Sequence, residues 1–593
     1  MTRYVVFAVL SLADFCLDMP GIHELVTPAS LYSFIVAGVL LLAWEAPLLG
    51  NRSIAAIELA GARFAARKKL AIFLIALLPI LLRVLLLPIY PLRPPGVQDE
   101  FSYLFAADTF AHGHLANPPN PMWVYFDTIH ILQHPVVASK YPPGQGAVLA
   151  LGQLLGHPWI GVLLSMGAMF GALLWMLQGW FPAKWALLGA VLALLRFGVF
   201  SYWMNSYLGG AVAAFGGALV MGAYPRWLIH HRRRYAFILG VGAAILANSR
   251  PFEGFVLCVP VSVALMWWLS RNRDVPWREV SSRLFIPLGT VMLVASSFTL
   301  YYDWRITGNP FLFPHSLDTR IHWNIPIFFW DKMKPPLSYM NPQFSALYVD
   351  WARAFCDDHL RHFWHYSWLN LLAFKDFFLG AGLLIPLLAL PSLLRARRTR
   401  FLVVQFLLFS AAIASLIWFN LHYIAPAVAT LFALLLQMIR YLRRWEFRGR
   451  PVGIGLTRAV VLLTSLSFSI CFLHAARHPD APPCPGEPYF TLPDRAQMLT
   501  RLQSMPGEHL VIVRYSEPKH NPVIEWVYNA ADVDHAKVVW AREIPGISLQ
   551  PLLEYYNTRS VWLVEADASP ARLVPYAASL PPSDSHQGVD HPH

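Results

Sequence analysis

Charged residues are scarce in this sequence. Only 13% of its 593 residues are charged, while 56% are hydrophobic and the mean hydropathy is +0.46. Soluble domains carry about a quarter charged residues, so this composition excludes a soluble protein. Many apolar runs approach the ~20 residues that a spanning helix needs, and short basic or Pro- and Gly-rich links separate them. The sequence therefore predicts an all-α, polytopic membrane protein.

Several motifs that would indicate other chemistry are missing. The five cysteines show no CxxC or Cys/His spacing of the metal-binding kind, so a metal site built on sulfur is not expected. No Gly-rich phosphate loop of the P-loop kind appears, and no cytoplasmic nucleotide-sugar site is apparent. Cys356 and Cys484 both fall in segments predicted outside the cell, where a disulfide between them is one possible pairing.

The basic residues that give a formal charge of +12 gather in short loops between apolar runs. This is the positive-inside pattern, so the charge predicts topology and not a nucleic-acid partner. Alternation of the basic loops predicts about thirteen spans in the plasma (inner) membrane, with residues 4–18 and 31–49 as the first two. It places residues 91–146, the first insert, and 303–375, the second insert, outside the cytoplasm together with the C-terminus.

Composition divides the chain into three parts. Residues 1–69 are predicted to form a membrane hairpin and a cytoplasmic link, and residues 70–475 the transmembrane region with both inserts. Residues 476–593, the terminal domain, carry 14 of the 34 acidic residues. Apolar runs at 510–513, 536–540 and 560–564 predict strands, with helical patterns at 494–504 and 549–556. We therefore expect a small extracytoplasmic α/β domain, with a disordered tail from residue 581.

The first insert contains two adjacent acidic residues, Asp99 and Glu100, in a part of the chain with few other acids. Asp108 and Asp127 follow, and the next acid is Glu253. Residues 99–111 have the pattern of a short helix along the membrane. A carboxylate there can act as a general base, while the alternative is that the pair caps the helix and favours its positive end. Asp127 is either a second acid of the site or a turn residue.

Four groups supply the cations that a departing phosphate would need on the same side. They are Lys140-Tyr141, in a stretch that continues Pro142-Pro143-Gly144, together with Arg250, Arg305 and His422-Tyr423. Each has another interpretation: Lys140 as an interfacial anchor, Arg250 as a partner of Glu253, and Arg305 as a partner of Asp303. The helically spaced histidines at 359, 362 and 365 suggest either a metal or a headgroup-facing surface.

The Asp-Glu pair early in the first insert, the exit through Pro142-Pro143-Gly144 and the array of spans resemble the GT-C superfamily of glycosyltransferases. Within it, residues 70–475 are similar to the group of dolichyl-phosphate-mannose protein mannosyltransferases and aminoarabinose transferases. His422-Tyr423-Ile424-Ala425-Pro426 stands where such proteins often have an Arg-Tyr-Pro element. The resemblance implies a polyprenyl-phosphate-sugar donor and an extracytoplasmic active site.

Together these features predict an inverting glycosyltransferase with an extracytoplasmic lipid, glycan or protein acceptor. Asp99 is the candidate base, and Glu100 would orient it or contact the acceptor or a metal, a divalent cation being the one possible cofactor. Asp127, Lys140, Tyr141, Arg250, Arg305 and His422 with Tyr423 are the candidate substrate-binding residues. A transporter or flippase of lipid-linked glycans is the alternative from another class, and a scaffold whose terminal domain binds a partner is a third.

Overall fold

The computed structural model describes residues 28–272, 275–479, 481–482, 484, 491–516 and 520–576. The predicted first span at 4–18 and the predicted disordered tail from residue 581 lie outside the described residues. The longer helices are α1 (Pro28–Glu45), α2 (Asn51–Ala66), α3 (Lys68–Leu85), α4 (Gln98–Ala111), α5 (Pro143–Leu154), α6 (Pro158–Trp180), α7 (Ala183–Phe197), α8 (Gly210–His230), α9 (Arg233–Ala247), α10 (Pro251–Arg271), α11 (Ile286–Thr307), α12 (Pro314–His322), α13 (Ala352–Arg361), α14 (Phe363–Phe374), α15 (Arg400–Ala414), α16 (Val428–Leu442), α17 (Val452–Arg477) and α18 (Pro493–Ser504).

Shorter helical segments connect these helices. One-turn and two-turn α-helical pieces are Trp123–Phe126, Tyr202–Asn205, Trp277–Val280, Pro342–Phe344, Gly380–Leu384, Leu390–Arg395 and Gln550–Tyr555. The π-helical pieces are Ser281–Phe285, Ser345–Trp351 and Lys375–Leu379, and the 3₁₀ pieces are Ile385–Ala389, Arg397–Thr399 and Leu421–Ala427.

The helices form a polytopic bundle, as predicted, but the expected number of spans is not confirmed. Within the described ranges, seven helical stretches are long and apolar enough to cross a membrane: Pro158–Trp180, Gly210–His230, Pro251–Arg271, Trp277–Thr307, Phe363–Arg395, Leu421–Leu442 and Val452–Arg477. Helices α7, α9 and α15 have 15 residues each, which is about 22 Å and shorter than the ~30 Å hydrocarbon core. An apolar run in the sequence is thus not always a full span.

Burial separates central helices from peripheral ones. The apolar part of Leu421–Leu442 is 94% buried, whereas that of Trp277–Thr307 is only 6% buried. On the peripheral helix, Leu293 and Val294 are 69% and 66% exposed. Apolar surface of this extent is costly in water but suits contact with lipid tails, so this face of the bundle matches a multi-pass membrane protein.

Close helix packing in the centre depends on small residues. A Cβ atom added at Gly217 of α8 would overlap the carbonyl oxygen of Pro426. The absence of that atom lets α8 lie directly against the 3₁₀ segment Leu421–Ala427, which carries His422 and Tyr423. Packing of this kind fixes the position of the segment within the bundle.

The predicted terminal α/β domain is confirmed. Its strands are β3 (His509–Arg514), β4 (Val538–Arg542), β5 (Ser560–Glu565) and β6 (Arg572–Pro575), after a small hairpin of β1 (Ile131–Leu132) and β2 (Ala138–Ser139) in the first insert. The sheet order is β4-β3-β5-β6, with β3 parallel to both neighbours and β6 antiparallel to β5. The central strand β3 is almost continuously apolar and buried, as expected of a parallel strand covered on both faces.

Both inserts and the terminal domain meet at one end of the bundle. Asn120 of the first insert donates to Asp534 at 3.0 Å, and Gln343 of the second insert donates to the carbonyl oxygen of Ile524 at 3.2 Å. Tyr125 donates to the carbonyl oxygen of Ser548 at 2.6 Å. The alternation of basic loops along the sequence predicts that the two inserts and the terminal domain lie at the same end.

The disulfide differs from the predicted pairing. Cys484 is bonded to Cys471, at the end of α17, and Cys356 is a free, buried thiol in α13. Because the sequence places Cys471 within a predicted span, it does not predict this residue as a disulfide partner. The fold brings the end of that helix beside Cys484, with Cα atoms 5.1 Å apart.

The contact at Gly217 gives a stability prediction. Gly217→Ala should destabilise the protein by about 1–3 kcal/mol, because the new methyl group overlaps a backbone carbonyl that cannot move freely. The measurement is the thermal midpoint in detergent. Gly289→Ala is the matched control, since a Cβ there meets no described atom within 4 Å, and an equal effect of both variants would contradict the packing argument.

Candidate active site

Helix α4 begins just after Pro94-Pro95-Gly96, and Glu100 fixes its start. One carboxylate oxygen accepts from the backbone N–H groups of Gly96 at 3.0 Å and Val97 at 3.2 Å, and the other accepts from Tyr207 N–H at 3.1 Å. The residue is 4% exposed. Glu100 thus caps the helix and ties it to the bundle, with both oxygens engaged.

Asp99 is placed differently although it is the adjacent residue. Its Oδ1 accepts from the Tyr141 hydroxyl and lies 3.2 Å from His130 Nε2. No described residue donates to Oδ2, and the side chain is 25% exposed. Of the two acids, Asp99 is the one with an oxygen available to a substrate.

The environment keeps Asp99 ionised at neutral pH. Burial by itself would raise the pKa of the carboxyl group, but the hydrogen bond from His130, the Tyr141 hydroxyl and the Lys140 ammonium together hold that pKa well below its usual range. The resting side chain is therefore a carboxylate, and its Oδ2 accepts from no described donor.

His130 is a site residue that sequence reasoning missed. Its backbone adopts φ = +69°, a left-handed conformation that costs energy in a non-glycine residue. Ser102 Oγ donates to its carbonyl oxygen at 2.7 Å, and Lys140 N–H does so at 3.2 Å. Burial and the neighbouring Lys140 lower the pKa of the imidazole, so it donates to Asp99 as a neutral ring. A lone loop histidine gives no sequence signal for this role.

Lys140 lies in a buried ion pair that joins the two inserts. Its Nζ is 3.1 Å from Asp318 Oδ2, and the two side chains are 2% and 0% exposed. Asp318 also accepts from His322 Nδ1 at 2.8 Å and from Trp323 Nε1 at 3.0 Å. Burial would raise the pKa of Asp318, but Lys140 and His322 hold it well below the usual range. Lys140, a predicted phosphate contact, is thus paired with Asp318, a residue for which the sequence predicts no role.

A close backbone approach positions Arg250 near the start of α5, shortly after Tyr141 in the chain. The N–H of Gly144 donates to the carbonyl oxygen of Asn248 at 2.7 Å, and a Cβ at Gly144 would lie 2.6 Å from that oxygen. This contact joins the start of α5 to the end of α9, two residues before Arg250. The Arg250 guanidinium lies 4.7 Å from the centre of the Tyr423 ring and 3.8 Å from Glu253.

Asp99 and Arg250 face a common group of aromatic residues. Tyr103 stacks on Tyr141 with ring centres 4.5 Å apart. After burial, which raises the pKa of the Tyr103 hydroxyl, Arg250 and Asp99 are the next strongest influences on that pKa, in opposite directions. The predicted base and one predicted cation therefore lie near the same tyrosines.

The remaining predicted residues are distributed more widely. His422 is buried, with Nδ1 3.1 Å from the Tyr202 hydroxyl, and its ring lies 5.1 Å from that of Tyr423. Arg305 is exposed in the last turn of α11. Of the predicted cations, Arg250 and His422 thus lie close to Tyr423.

Asp127 lies toward the terminal domain. Its backbone carbonyl accepts from Asn341 at 3.1 Å. Burial raises the pKa of its carboxyl group to about 6, while His322 and Arg542 act in the opposite direction and Glu525 adds to the increase. Asp127 therefore connects the second insert and the terminal domain electrostatically.

No group of three His, Cys, Asp or Glu residues in the described part of the chain is arranged to hold a metal ion. The spaced histidines of the second insert point to different partners. His359 is buried and stacks on Tyr366 at 4.4 Å, and His362 lies 2.9 Å from Asp358.

Comparisons with solved structures give a distant likeness. ArnT from Cupriavidus metallidurans bound to undecaprenyl phosphate is 14% identical with a TM-score of 0.43, over 82% of this chain and 92% of that chain. Its apo state is 12% identical with the same TM-score, over 87% and 93%. The apo oligosaccharyltransferase of Archaeoglobus fulgidus is 13% identical with a TM-score of 0.37, over 75% and 62%.

These proteins are GT-C glycosyltransferases, the superfamily that the sequence resembles. No family model and no curated protein matches the sequence. With TM-scores below 0.5, the likeness supports no statement about chemistry, and the function has to be argued from the site itself.

The raised pKa of Asp127 predicts a pH-dependent stability. A folded-state pKa near 6, above the unfolded value near 4, means that the folded state is penalised once pH rises through this window. Asp127→Asn should therefore raise the thermal midpoint at pH 8 and have little effect at pH 4. The control is Asp350→Asn, an exposed carboxylate of the second insert. A gain that is equal at both pH values would contradict the assignment.

The Lys140–Asp318 pair gives a second test. Lys140→Met should destabilise the protein by about 3–5 kcal/mol, because it leaves a buried carboxylate without its cation. Lys140→Met/Asp318→Asn should recover part of that loss. Thermal and denaturant midpoints in detergent measure both variants. A double variant less stable than the single one would show that the pair does not couple.

Proposed function

We propose that this chain is an inverting glycosyltransferase that moves a sugar from a polyprenyl-phosphate donor to an extracytoplasmic acceptor at the plasma membrane. The observation that carries the proposal is the arrangement around Tyr141. Asp99 keeps an oxygen free of described donors beside Tyr141, and the Arg250 guanidinium lies against Tyr423. The charges of both groups act on Tyr103, which stacks on Tyr141. A base and a cation near one aromatic group suit a displacement with an anionic leaving group.

In the proposed reaction, Asp99 Oδ2 accepts the proton of an acceptor hydroxyl or amine. The acceptor atom forms a bond to the anomeric carbon as the bond from that carbon to the phosphate oxygen breaks. The bonding electrons leave with the polyprenyl phosphate, whose added negative charge Arg250 stabilises. Attack from the face opposite the leaving group inverts the anomeric centre.

The site also suggests how a carboxylate with a low pKa can serve as the base. An approaching phosphate adds negative charge near Asp99, which disfavours the ionised carboxylate and raises its pKa. Tyr141 and His130 keep Oδ1 fixed, so the proton is delivered to Oδ2. The base thus gains proton affinity when the donor is present.

The predicted cations divide into different roles in this proposal. Arg250 contacts the phosphate, with Tyr423 and His422 around it. Lys140 acts through its pair with Asp318, which sets the position of Tyr141. Arg305, at the exposed end of α11, contributes charge near the membrane surface for the lipid headgroup region.

The decisive variant is Asp99→Asn. It keeps the size of the side chain but cannot accept the acceptor proton, so transfer by the folded protein should fall roughly 10²–10⁴-fold. The measurement is movement of radiolabel from a polyprenyl-phosphate sugar to an acceptor in proteoliposomes. Asp357→Asn, at a side chain 54% exposed in the second insert, is the matched control and should keep full activity.

The same assay separates the proposed enzyme from a flippase. Label that changes leaflet without joining an acceptor would identify a flippase of lipid-linked glycans. Transfer that is unaffected by Asp99→Asn would leave the enzyme assignment standing and overturn the role of Asp99 as base.

A further inference from the structure

We propose that the terminal domain positions the catalytic carboxylate through one extended segment, residues 521–531, here named the strap. Tyr528 and Arg495 are its positioning residues. The kinetic part of this proposal rests on the proposed glycosyl transfer, whereas the structural part does not. The strap follows strand β3 and contains neither helix nor strand, yet Trp526, Val527 and Tyr528 are buried.

The strap runs along α4, the helix that carries Asp99. Gln98 Nε2 donates to the carbonyl oxygen of Val523 near the start of the helix. Phe101 stacks on Tyr528 with ring centres 4.4 Å apart and planes 7° apart. Ala531 N–H donates to Asp108 Oδ2 at 2.7 Å near the end of the helix. At 100° per residue, positions 98, 101 and 108 fall on one face of α4, so the strap covers that face along its length.

Tyr528 also holds the residue that orients Asp99. Its hydroxyl donates to the carbonyl oxygen of Ile129 at 3.1 Å. Ile129 directly precedes His130, whose strained backbone keeps Nε2 at 3.2 Å from Asp99 Oδ1. A strained loop conformation persists only where neighbouring contacts hold it. Tyr528 thus secures α4 with its ring and the His130 loop with its hydroxyl.

Arg495 of α18 fixes the strap itself. Its guanidinium donates to the carbonyl oxygens of Trp526 at 2.8 Å and Tyr528 at 2.7 Å. The same group lies 4.8 Å from the ring centres of both Phe101 and Trp540. The strap has no sheet or helix bonds, so these donors help to satisfy its buried carbonyl groups. The carbonyl oxygen of Trp526 also accepts from Tyr528 N–H at 3.0 Å. The strap, α4 and β4 are therefore joined at one buried cation.

A domain that only bound a partner would not need to contact both the helix of Asp99 and the loop of His130. A small cavity of about 50 Å³ beside the strap, lined by Phe105, Thr128, Gln133 and Asn529 among others, does not extend to Asp99. The contacts near the catalytic carboxylate are instead packed and direct. They make the terminal domain a part of the active-site scaffold.

The test removes one oxygen atom. Tyr528→Phe keeps the stack on Phe101 and deletes only the hydrogen bond to Ile129. Tyr555→Phe is the matched control in the same domain, since its hydroxyl donates to Asp534 at 3.2 Å, far from α4 in the sequence and at an exposed side chain. Amide hydrogen exchange of the full chain in detergent should be faster at residues 127–131 in Tyr528→Phe and unchanged in Tyr555→Phe.

The kinetic readout distinguishes positioning from general destabilisation. In Tyr528→Phe, kcat should fall about 3–10-fold, the size expected for one lost hydrogen bond, with an unchanged KM for the donor. Because His130 helps to lower the pKa of Asp99, a looser His130 raises that pKa, and the acid limb of kcat, which reports the donor-bound enzyme, moves to higher pH. Loss of stability alone would not move that limb.

These experiments distinguish a failure of the strap proposal from a failure of the proposed function. If no transfer is detected with any variant, faster exchange at residues 127–131 still supports the strap and unchanged exchange overturns it. If transfer is present, wild-type exchange and kinetics in Tyr528→Phe overturn the proposal. Should Tyr528→Phe fail to fold, Gln98→Met tests the strap independently. It removes the donor to Val523, and faster exchange at the start of α4 supports the proposal whereas wild-type exchange contradicts it.

Discussion

A buried carboxylate holds the candidate site together. Glu100 is out of contact with water and accepts three backbone hydrogen bonds, two from the turn that begins α4 and one from Tyr207 next to α8. Burial raises the pKa of this carboxyl group while the three N–H donors act in the opposite direction. The helix start and the bundle therefore cannot separate without leaving buried polar groups unpaired. Successive residues of a helix point about 100° apart, and the anchored Glu100 therefore turns Asp99 toward Tyr141. One acid secures the geometry, and its neighbour is free for chemistry.

The positive charges are divided in a similar way. Lys140 joins the first insert to Asp318 of the second, where both side chains are buried and further donors saturate the carboxylate. Arg250 instead sits at the start of α10 with a long contact to Glu253 and an aromatic ring beside it. A guanidinium held by a ring and one distant carboxylate retains donors for an anion, whereas the lysine ammonium is buried against its carboxylate partner. Within the proposed reaction, this difference, and not the number of cations, makes Arg250 the better partner for a phosphate.

The sequence predicts features that depend on local pattern. The start of α4 at the Asp-Glu pair and the apolar strands of the terminal domain are of this kind, because short-range periodicity determines them. His130, Asp318 and Tyr528 escape sequence reasoning since their roles come from contacts across 31, 178 and 399 residues. The sequence does not predict the disulfide to Cys471 or the short lengths of α7, α9 and α15, for a related reason. Hydropathy marks an apolar run but not where its helix ends.

Within the proposed reaction, the low pKa of Asp99 implies an order of events. Without an anion nearby, His130, Tyr141 and Lys140 make the carboxylate a poor proton acceptor. A donor phosphate at Arg250 partly cancels that positive environment and raises the pKa toward the range in which a base is effective. We infer that the acceptor is activated only after the donor has bound. An acceptor alone, or water, would meet a carboxylate too weak to deprotonate it, so the same contacts that hold Asp99 in place also restrain it until the lipid-linked sugar is present.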